Sequence, residues 1–317
     1  AMTIQEQLHY EQVNDESLSF FKAIGVDYLT INPSMDMRDG KDRRAYWEEV
    51  RDRAADHGLI LRNAASYGWD EFTLGLEDRD EKIDAWCMFI RNLGEAGIPT
   101  LGYNFKPIGN FRTESATGRG GVKYSTFDYD EWARERVYVP DKVISEAGMW
   151  ENIEYFLKRV IPVAEEYGVR MALHPDDPPI PEPMGGAARI VSTLEQYHRI
   201  FDLAPSPCNA MLFCQGCVAE MGEDVCEAIR DIGGRDKIVY VHFRDIQGSP
   251  RSFREVFIDE GQNDMHKAMQ TYKDVGFNGP FMMDHTPRFW QSGTEWAGRA
   301  FAVGYMRALI QAVYQER

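Results

Sequence analysis

One phrase recurs along this chain of 317 residues: an amphipathic stretch, then a glycine, then a short apolar run. It appears in AIGVDYLTI, DHGLILRN, EAGIPTLGYN, EYGVRMALH and DVGFNGPFMM. A glycine at this point is typical of a helix C-terminus, because glycine adopts the left-handed backbone conformation without strain. A short apolar run after it indicates a buried strand. The phrase therefore predicts alternating strands and helices around a parallel sheet.

Eight such alternations cover the chain. Eight βα units predict closure into a single (β/α)₈ barrel, a TIM barrel, over residues 1–317, with an open doubly wound sheet as the alternative. No GxGxxG follows the first strand, which disfavours dinucleotide binding. Strands are predicted over 3–9, 27–32, 58–64, 99–104, 169–174, 209–214, 237–243 and 280–285, and helices over 15–24, 42–57, 79–96, 150–167, 192–203, 223–232, 263–275 and 295–315.

A long irregular segment, 105–148, follows predicted strand 4 and is rich in Gly, Arg, Tyr and Asp. Irregular loops of this length inside a compact domain are usually lids or binding loops. We therefore predict an active-site lid or loop insertion over the barrel.

The net charge limits the kinds of binding partner that we expect, and the number of cysteines indicates the redox state of the cellular compartment. The chain has 35 Lys and Arg, 51 Asp and Glu, and a net charge of -16, which predicts no nucleic-acid or membrane partner. No apolar run reaches the roughly 18 residues of a membrane span, and the start lacks a secretory signal pattern. Five cysteines, an odd count, favour a reducing compartment. A cytoplasmic protein acting on a small molecule is expected, and association of identical chains is compatible with the sequence.

Four metal-binding residue types end the last four predicted strands: His174, Cys214, His242 and Asp284. Carboxyl ends of neighbouring barrel strands meet on one face, where active sites of this fold lie. Two imidazoles, a thiolate and a carboxylate suit a divalent ion such as Mn²⁺, Fe²⁺, Co²⁺ or Zn²⁺. The sequence therefore predicts a metal site on the wall formed by strands 5 to 8.

His285 follows Asp284 and is predicted to be a catalytic acid/base, since histidine titrates near neutral pH. Further polar residues fall at strand ends or on the loops after them. Among these, Lys106, Arg112 and Arg244 could pair with an anionic substrate. The full set of candidate substrate contacts comprises His9, Asn32, Asn104, Lys106, Arg112, Asp176, Asp177 and Arg244.

From about residue 81 to the C-terminus, the sequence resembles the mannonate dehydratase family of the xylose-isomerase-like barrel group. The resemblance implies loss of water from D-mannonate to give 2-keto-3-deoxy-D-gluconate, with Mn²⁺ or a similar ion. It places the metal ligands on the same four residues and the acid/base on His285. The matching stretches are RNLGEAGIPTLGYNFKPIGNFRT, ENIEYFLKRVIPVAEEYGVRMALHPDDPP, ARIVSTLEQYHRIFDLAPSPCN, VHFRDI, GFNGPFMMDH and GRAFAVGYMRAL.

The chain departs from the family pattern among groups expected to face the substrate. YNFMP reads YNFKP here, which makes Lys106 a second candidate for the catalytic machinery. CTGS reads Cys214-Gln215-Gly216-Cys217, and the tyrosine before the final GR has no counterpart, with Thr294 or Trp296 near its position. These changes predict a substrate with an additional or differently placed anionic or carbonyl group, and D-mannonate as a poor substrate.

The predicted function is a metal-dependent lyase that dehydrates a sugar acid, of mannonate dehydratase type. One alternative is a sugar isomerase or epimerase on the same barrel, which needs proton transfer without loss of water. Another is a sugar-acid-binding relative without turnover, although a binder has less need of a metal-ligating thiolate. A metal-dependent nuclease is disfavoured by the acidic charge.

Overall fold

A computed structural model describes residues 4–289 and 296–315. Eight parallel strands pair in chain order, and a bridge between Ile4 and Phe281 brings the last strand back beside the first. The predicted barrel is therefore confirmed, and each predicted strand is found within a few residues of its expected place. The strands are β1 (Gln5–His9), β2 (Tyr28–Asn32), β3 (Ile60–Ala65), β4 (Thr100–Tyr103), β5 (Arg170–Leu173), β6 (Asn209–Cys214), β7 (Ile238–His242) and β8 (Phe281–Met282).

A helix follows each strand on the outside of the barrel. The fourth helix begins at Glu146 rather than at 150, because the Ser145 side chain accepts a hydrogen bond from the Gly148 backbone and caps the helix there. None of the helices in the described ranges is both long and apolar enough to cross a membrane. The helices are α1 (Asp15–Ile24), α2 (Arg44–Asp56), α3 (Arg79–Glu95), α4 (Glu146–Tyr167), α5 (Leu194–Leu203), α6 (Val225–Gly233), α7 (Met265–Asp274) and α8 (Trp296–Tyr314).

The main core lies between the strands and the helices. On β5, Met171 and Leu173 belong to this core, whereas Ala172 belongs to a small separate cluster with Leu212 and Tyr240. Because successive strand residues face opposite sides, this small cluster fills the barrel interior. The strand pleat therefore separates an outer apolar layer from an inner one.

The interior beside β1 to β4 is polar. Asn63 donates to Thr30 over 3.2 Å and accepts from Thr100 over 2.7 Å, and all three are buried. Across the barrel, Tyr240 approaches so closely that a Cβ at Gly102 would lie 2.2 Å from its hydroxyl oxygen. Gly102 is therefore needed on β4 to make room for the tyrosine.

Segment 105–148 is more ordered than its composition suggests. It contains a short hairpin (Ala116–Thr117 with Lys123–Tyr124) and a helix (Tyr129–Arg134). Its strand Thr126–Asp128 pairs with a hairpin that follows β7, formed by Ile246–Ser249 and Ser252–Glu255. The loops after β4 and β7 therefore build one antiparallel sheet, which links these two parts of the barrel top.

Candidate metal centre and active site

The four residues predicted as metal ligands converge at the carboxyl ends of the strands. One ligand atom from each of His174, Cys214, His242 and Asp284 can be chosen so that all lie within 4.8 Å of one another. His174 and Asp284 are partly exposed, whereas Cys214 and His242 are buried. Such a set is compact enough to surround one cation.

Local backbone structure aims these side chains. Cys214 and His242 are the last residues of β6 and β7. His174 follows β5, and its Nδ1 donates to the Pro175 carbonyl oxygen over 2.7 Å, which leaves Nε2 for a metal. Asp284 has a φ of 69°, a left-handed conformation that costs a non-glycine residue roughly 1 kcal/mol or more and is characteristic of functional sites.

The electrostatics of the cluster favour a cation. Burial alone would raise the pKa of Cys214, but hydrogen bonding with Cys217 and the charge of Arg244 hold it well below its usual value. Burial likewise opposes ionisation of Asp284, and His242 is the leading cause that keeps its pKa low. Burial would lower the pKa of His242, yet Asp284 and Cys214 raise it to about 9. Two anions thus stabilise a positive charge at the point where a divalent ion would sit.

His242 supplies a second argument that the site fits a metal. Its side chain is 3% exposed, and neither ring nitrogen has a hydrogen-bond partner within the described chain. Nδ1 lies 3.4 Å from an Asp284 carboxylate oxygen. Buried polar atoms are rarely left unpaired, so an imidazole of this kind is well explained as a metal ligand.

His285 lies beside this centre. Its Nε2 is 3.3 Å from Asp284 Oδ2, and its Nδ1 is 3.4 Å from Glu255 Oε2. The His285 side chain is 46% exposed, whereas that of Glu255 is 6% exposed. A buried carboxylate thus holds an accessible imidazole next to the candidate metal centre, an arrangement suited to proton transfer.

A cavity of about 240 Å³ is lined by three of the four candidate ligands, His174, His242 and Asp284. His285 borders this cavity and also two adjoining depressions, which places it at the mouth. Polar side chains dominate the lining, as expected for a hydroxylated substrate. The residues that line the cavity are Gln7, Asn32, Tyr67, Asn104, Lys106, Gly109, Asn110, His174, Asp177, His242, Asp284 and His285.

Arg112, predicted to contact the substrate, is saturated by protein groups. Its two terminal nitrogens bind Asp177 over 2.8 and 2.7 Å, and one of them also binds Glu255 over 2.7 Å. The remaining N–H groups bind Ser125 and the Phe111 carbonyl oxygen. All five guanidinium donors therefore have partners, so we assign Arg112 to joining the loops after β4, β5 and β7.

Arg244 is similarly occupied below the cavity. It donates to Glu220 over 2.9 Å, to Asp284 over 3.2 Å and to Cys217 over 3.3 Å. The guanidinium lies against Gly216, where a Cβ would approach it to 2.2 Å. Arg244 does not line the cavity, so its position favours a role in supporting the candidate ligand Asp284 over the predicted substrate contact.

The neighbouring aspartates of HPDDPP have different environments. Asp176 accepts one hydrogen bond from the Val191 backbone N–H and one from the Ser192 hydroxyl, each over 2.9 Å, and does not line the cavity. Asp177 does line it. Of the two aspartates predicted as substrate contacts, Asp177 therefore remains the candidate, because Asp176 holds the loop after β5.

The remaining predicted contacts lie nearer the cavity. Asn32 and Asn104 line it, and Asn32 Oδ1 is buried without a hydrogen-bond partner in the described ranges. His9 borders an adjoining depression and is half exposed. Lys106 lines the cavity and is 4% exposed.

Comparisons with known proteins agree on the family of this chain. A family profile described as D-mannonate dehydratase (UxuA) matches residues 130–317. Mannonate dehydratase 2 of Halalkalibacterium halodurans is 31% identical over 290 residues, which cover 81% of this chain and 84% of that protein. This chain belongs to the D-mannonate dehydratase family. The family is one of hydro-lyases, and the expected resemblance is confirmed.

A solved structure agrees with this family assignment, and a more distant one shares the fold. The mannonate dehydratase of Streptococcus suis serotype 2 superposes with a TM-score of 0.88 at 27% identity, covering 99% of this chain and 95% of that one. The 3-keto-D-glucoside 4-epimerase of E. coli superposes with a TM-score of 0.65 at 15% identity, covering 97% of this chain and 100% of that one. The second likeness concerns the fold alone.

Several residues near the site were not singled out from the sequence of this dehydratase-family chain. Tyr67 follows the end of β3 and lines the cavity, and burial raises its pKa so that it stays a hydrogen-bond donor. Because Tyr67 comes shortly after the end of a strand, its position in the sequence could have indicated a residue of the active face. Glu255 lies on the hairpin after β7, and the sequence pattern did not predict that hairpin. Asn110 lies within the irregular segment 105–148, where no strand end marks it. Thr294, near the expected position of the family tyrosine, lies outside the described residues.

Proposed function

We propose that this chain is a metal-dependent hydro-lyase that removes water from a sugar acid, of the type that converts D-mannonate to 2-keto-3-deoxy-D-gluconate. One observation carries the proposal: four ligand atoms from β5, β6, β7 and β8 lie within 4.8 Å of one another, below a polar cavity and next to His285. Metal-assisted elimination needs a cation site, a proton-transfer group and a hydroxyl-binding cavity in this relation.

We propose Mn²⁺ as the ion held by His174, Cys214, His242 and Asp284, with Fe²⁺, Co²⁺ and Zn²⁺ also compatible with imidazole, thiolate and carboxylate donors. When bound, the ion would supply Lewis-acid stabilisation for the negative charge that develops on substrate oxygens. The thiolate of Cys214 must stay reduced for this purpose, which supports a cytoplasmic location.

The chain's own residues account for the proton transfers. Dehydration removes a proton from the carbon beside the carboxylate and a hydroxide from the next carbon, which leaves as water after protonation. We assign one of these transfers to His285, which Glu255 orients from 3.4 Å. A neutral Tyr67, which lines the same cavity, can donate to a substrate oxygen.

The experiment is an NMR assay of the Mn²⁺-loaded protein with D-mannonate and other hexonates, uronates and ketoses. A 2-keto-3-deoxy product supports the proposal. An aldose–ketose or epimeric pair would instead make the protein an isomerase or epimerase. Binding without conversion would make it a sugar-acid-binding relative, and either result would overturn the proposed reaction.

A further inference from the structure

Lys106 is a buried cation that forms no ion pair with the described part of the chain. Its Nζ donates to Asn110 Oδ1, the single hydrogen bond that the ammonium makes to described residues. An ammonium carries three donors, so two remain for another group. No carboxylate oxygen of residues 4–289 or 296–315 lies within 4.0 Å of Nζ, although Asp177 and Asp284 line the same cavity.

Arg112 and Arg244, the two arginines predicted to meet an anionic substrate, are already paired with protein groups. Arg112 uses all five donors on protein groups, and Arg244 binds Glu220, Asp284 and Cys217 below the cavity. Lys106 is the sole Lys or Arg in the described lining of the cavity over the candidate ligands. With the metal bound by His174 and His242, an anionic group that enters this cavity would therefore meet one lysine with donors to spare and no arginine in the described lining.

A buried ammonium of this kind is costly unless an anion accompanies it. Burial, followed by the charge of Arg189, lowers the pKa of Lys106 to about 8, while Asp177, Asp176 and Cys217 oppose the shift. The side chain is therefore still mostly protonated at neutral pH. A substrate carboxylate would complete its hydrogen bonds and neutralise its charge.

We propose that Lys106 forms an anion subsite for a second carboxylate of the substrate, so that this chain acts on aldarates, the dicarboxylic sugar acids, in preference to aldonates. The inference rests on the proposed dehydration. In that reaction, the carboxylate next to the carbon that loses a proton would bind at the candidate metal centre. Lys106 lines the same cavity as the candidate ligand Asp284 but forms no ion pair with it among the described residues, so we assign Lys106 to the other end of the molecule.

The test uses two substrates that differ at that end alone. D-Mannarate carries a carboxylate where D-mannonate carries a hydroxymethyl group. We expect the Mn²⁺-loaded protein to show a kcat/KM for D-mannarate at least about tenfold above that for D-mannonate. In Lys106→Met, of similar length but uncharged, this ratio should fall at least about tenfold through KM, the usual effect of losing one charge-assisted hydrogen bond. Lys106→Arg should retain much of the preference.

Binding without turnover provides a second readout. By calorimetry, D-mannarate should bind the metal-loaded His285→Asn variant at least about tenfold more tightly than it binds the Lys106→Met, His285→Asn double variant. An unchanged affinity would overturn the subsite, as would a substrate ratio that Lys106→Met leaves unaltered. An equal loss of kcat for both substrates at constant KM would make Lys106 a proton-transfer residue instead.

The two proposals fail in different ways. If the wild type dehydrates D-mannonate efficiently and D-mannarate poorly, the subsite is wrong and the proposed function stands. If it dehydrates neither compound nor any other sugar acid, the proposed function is wrong. The calorimetric comparison then still decides whether Lys106 binds a carboxylate.

Discussion

Replacing Arg112 by methionine would test whether this arginine supports the structure or binds the substrate. The change keeps the aliphatic stem and removes a cation that contacts Asp177 and Glu255, both almost fully buried. Removing one partner of a buried ion pair costs about 3–5 kcal/mol. Arg112 is 20% exposed, and Arg244 still lies 3.5 Å from Asp177 and 3.4 Å from Glu255. We therefore expect a loss of about 2–3 kcal/mol in the free energy of unfolding.

Calorimetry can measure this loss. The unfolding entropy is about 2 cal/mol/K per residue. For 317 residues, a loss of about 2.5 kcal/mol in the free energy of unfolding therefore lowers the Tm by about 4 °C.

The same ion pair makes the stability depend on pH. Burial alone would raise the pKa of Asp177, but Arg112 and Arg244 hold it well below its usual value. The stabilisation is therefore present above the ordinary aspartate pKa of about 4 and lost as the pH falls below it.

Arg119→Met is the matched control, since Arg119 lies on the same segment and pairs with Asp259 over two 2.8 Å bonds at 45% and 30% exposure. An exposed pair contributes about 1 kcal/mol or less, so its Tm should fall by about 1.5 °C or less. If Arg112→Met instead keeps the wild-type Tm and raises KM alone, the structural role is refuted and Arg112 binds substrate as the sequence predicted.

Three further predictions concern the site. His174→Ala or His242→Ala should abolish the stoichiometric divalent ion found by elemental analysis, and full occupancy in either variant would contradict the ligand assignment. His285→Asn should retain metal and fold but lose kcat by about a hundredfold or more, the usual contribution of a positioned acid/base group; a wild-type kcat would leave His285 a structural residue. Because burial lowers the pKa of Lys106 to about 8 and the protonated form binds anions, kcat/KM for D-mannarate should fall about tenfold per pH unit above that value. A matching alkaline fall in Lys106→Met would assign the titration to another group.

The barrel and its candidate ligands could be predicted because both depend on local patterns. Apolar runs after helix-ending glycines define the strands, and a parallel barrel brings every strand's carboxyl end to one face. His174, Cys214, His242 and Asp284 each lie at such an end, so their convergence needed no knowledge of packing. The function followed in the same way, because the residues that carry the family resemblance surround these strand ends.

Only the tertiary structure decided which charged groups are available to a substrate. Arg112, Arg244 and Lys106 are alike in sequence, as cations after strands, yet in the described structure the two arginines pair with carboxylates and the lysine does not. Arg112 shows how distant such a partner can be in the chain: it binds Glu255, on a hairpin that forms a sheet with Thr126–Asp128 across more than a hundred residues. Hydrogen-bond saturation depends on such distant contacts, whereas strand order and strand-end positions depend on neighbouring residues. The chain's local pattern therefore determines where the chemistry lies, and long-range packing determines which side chains are free to take part in it.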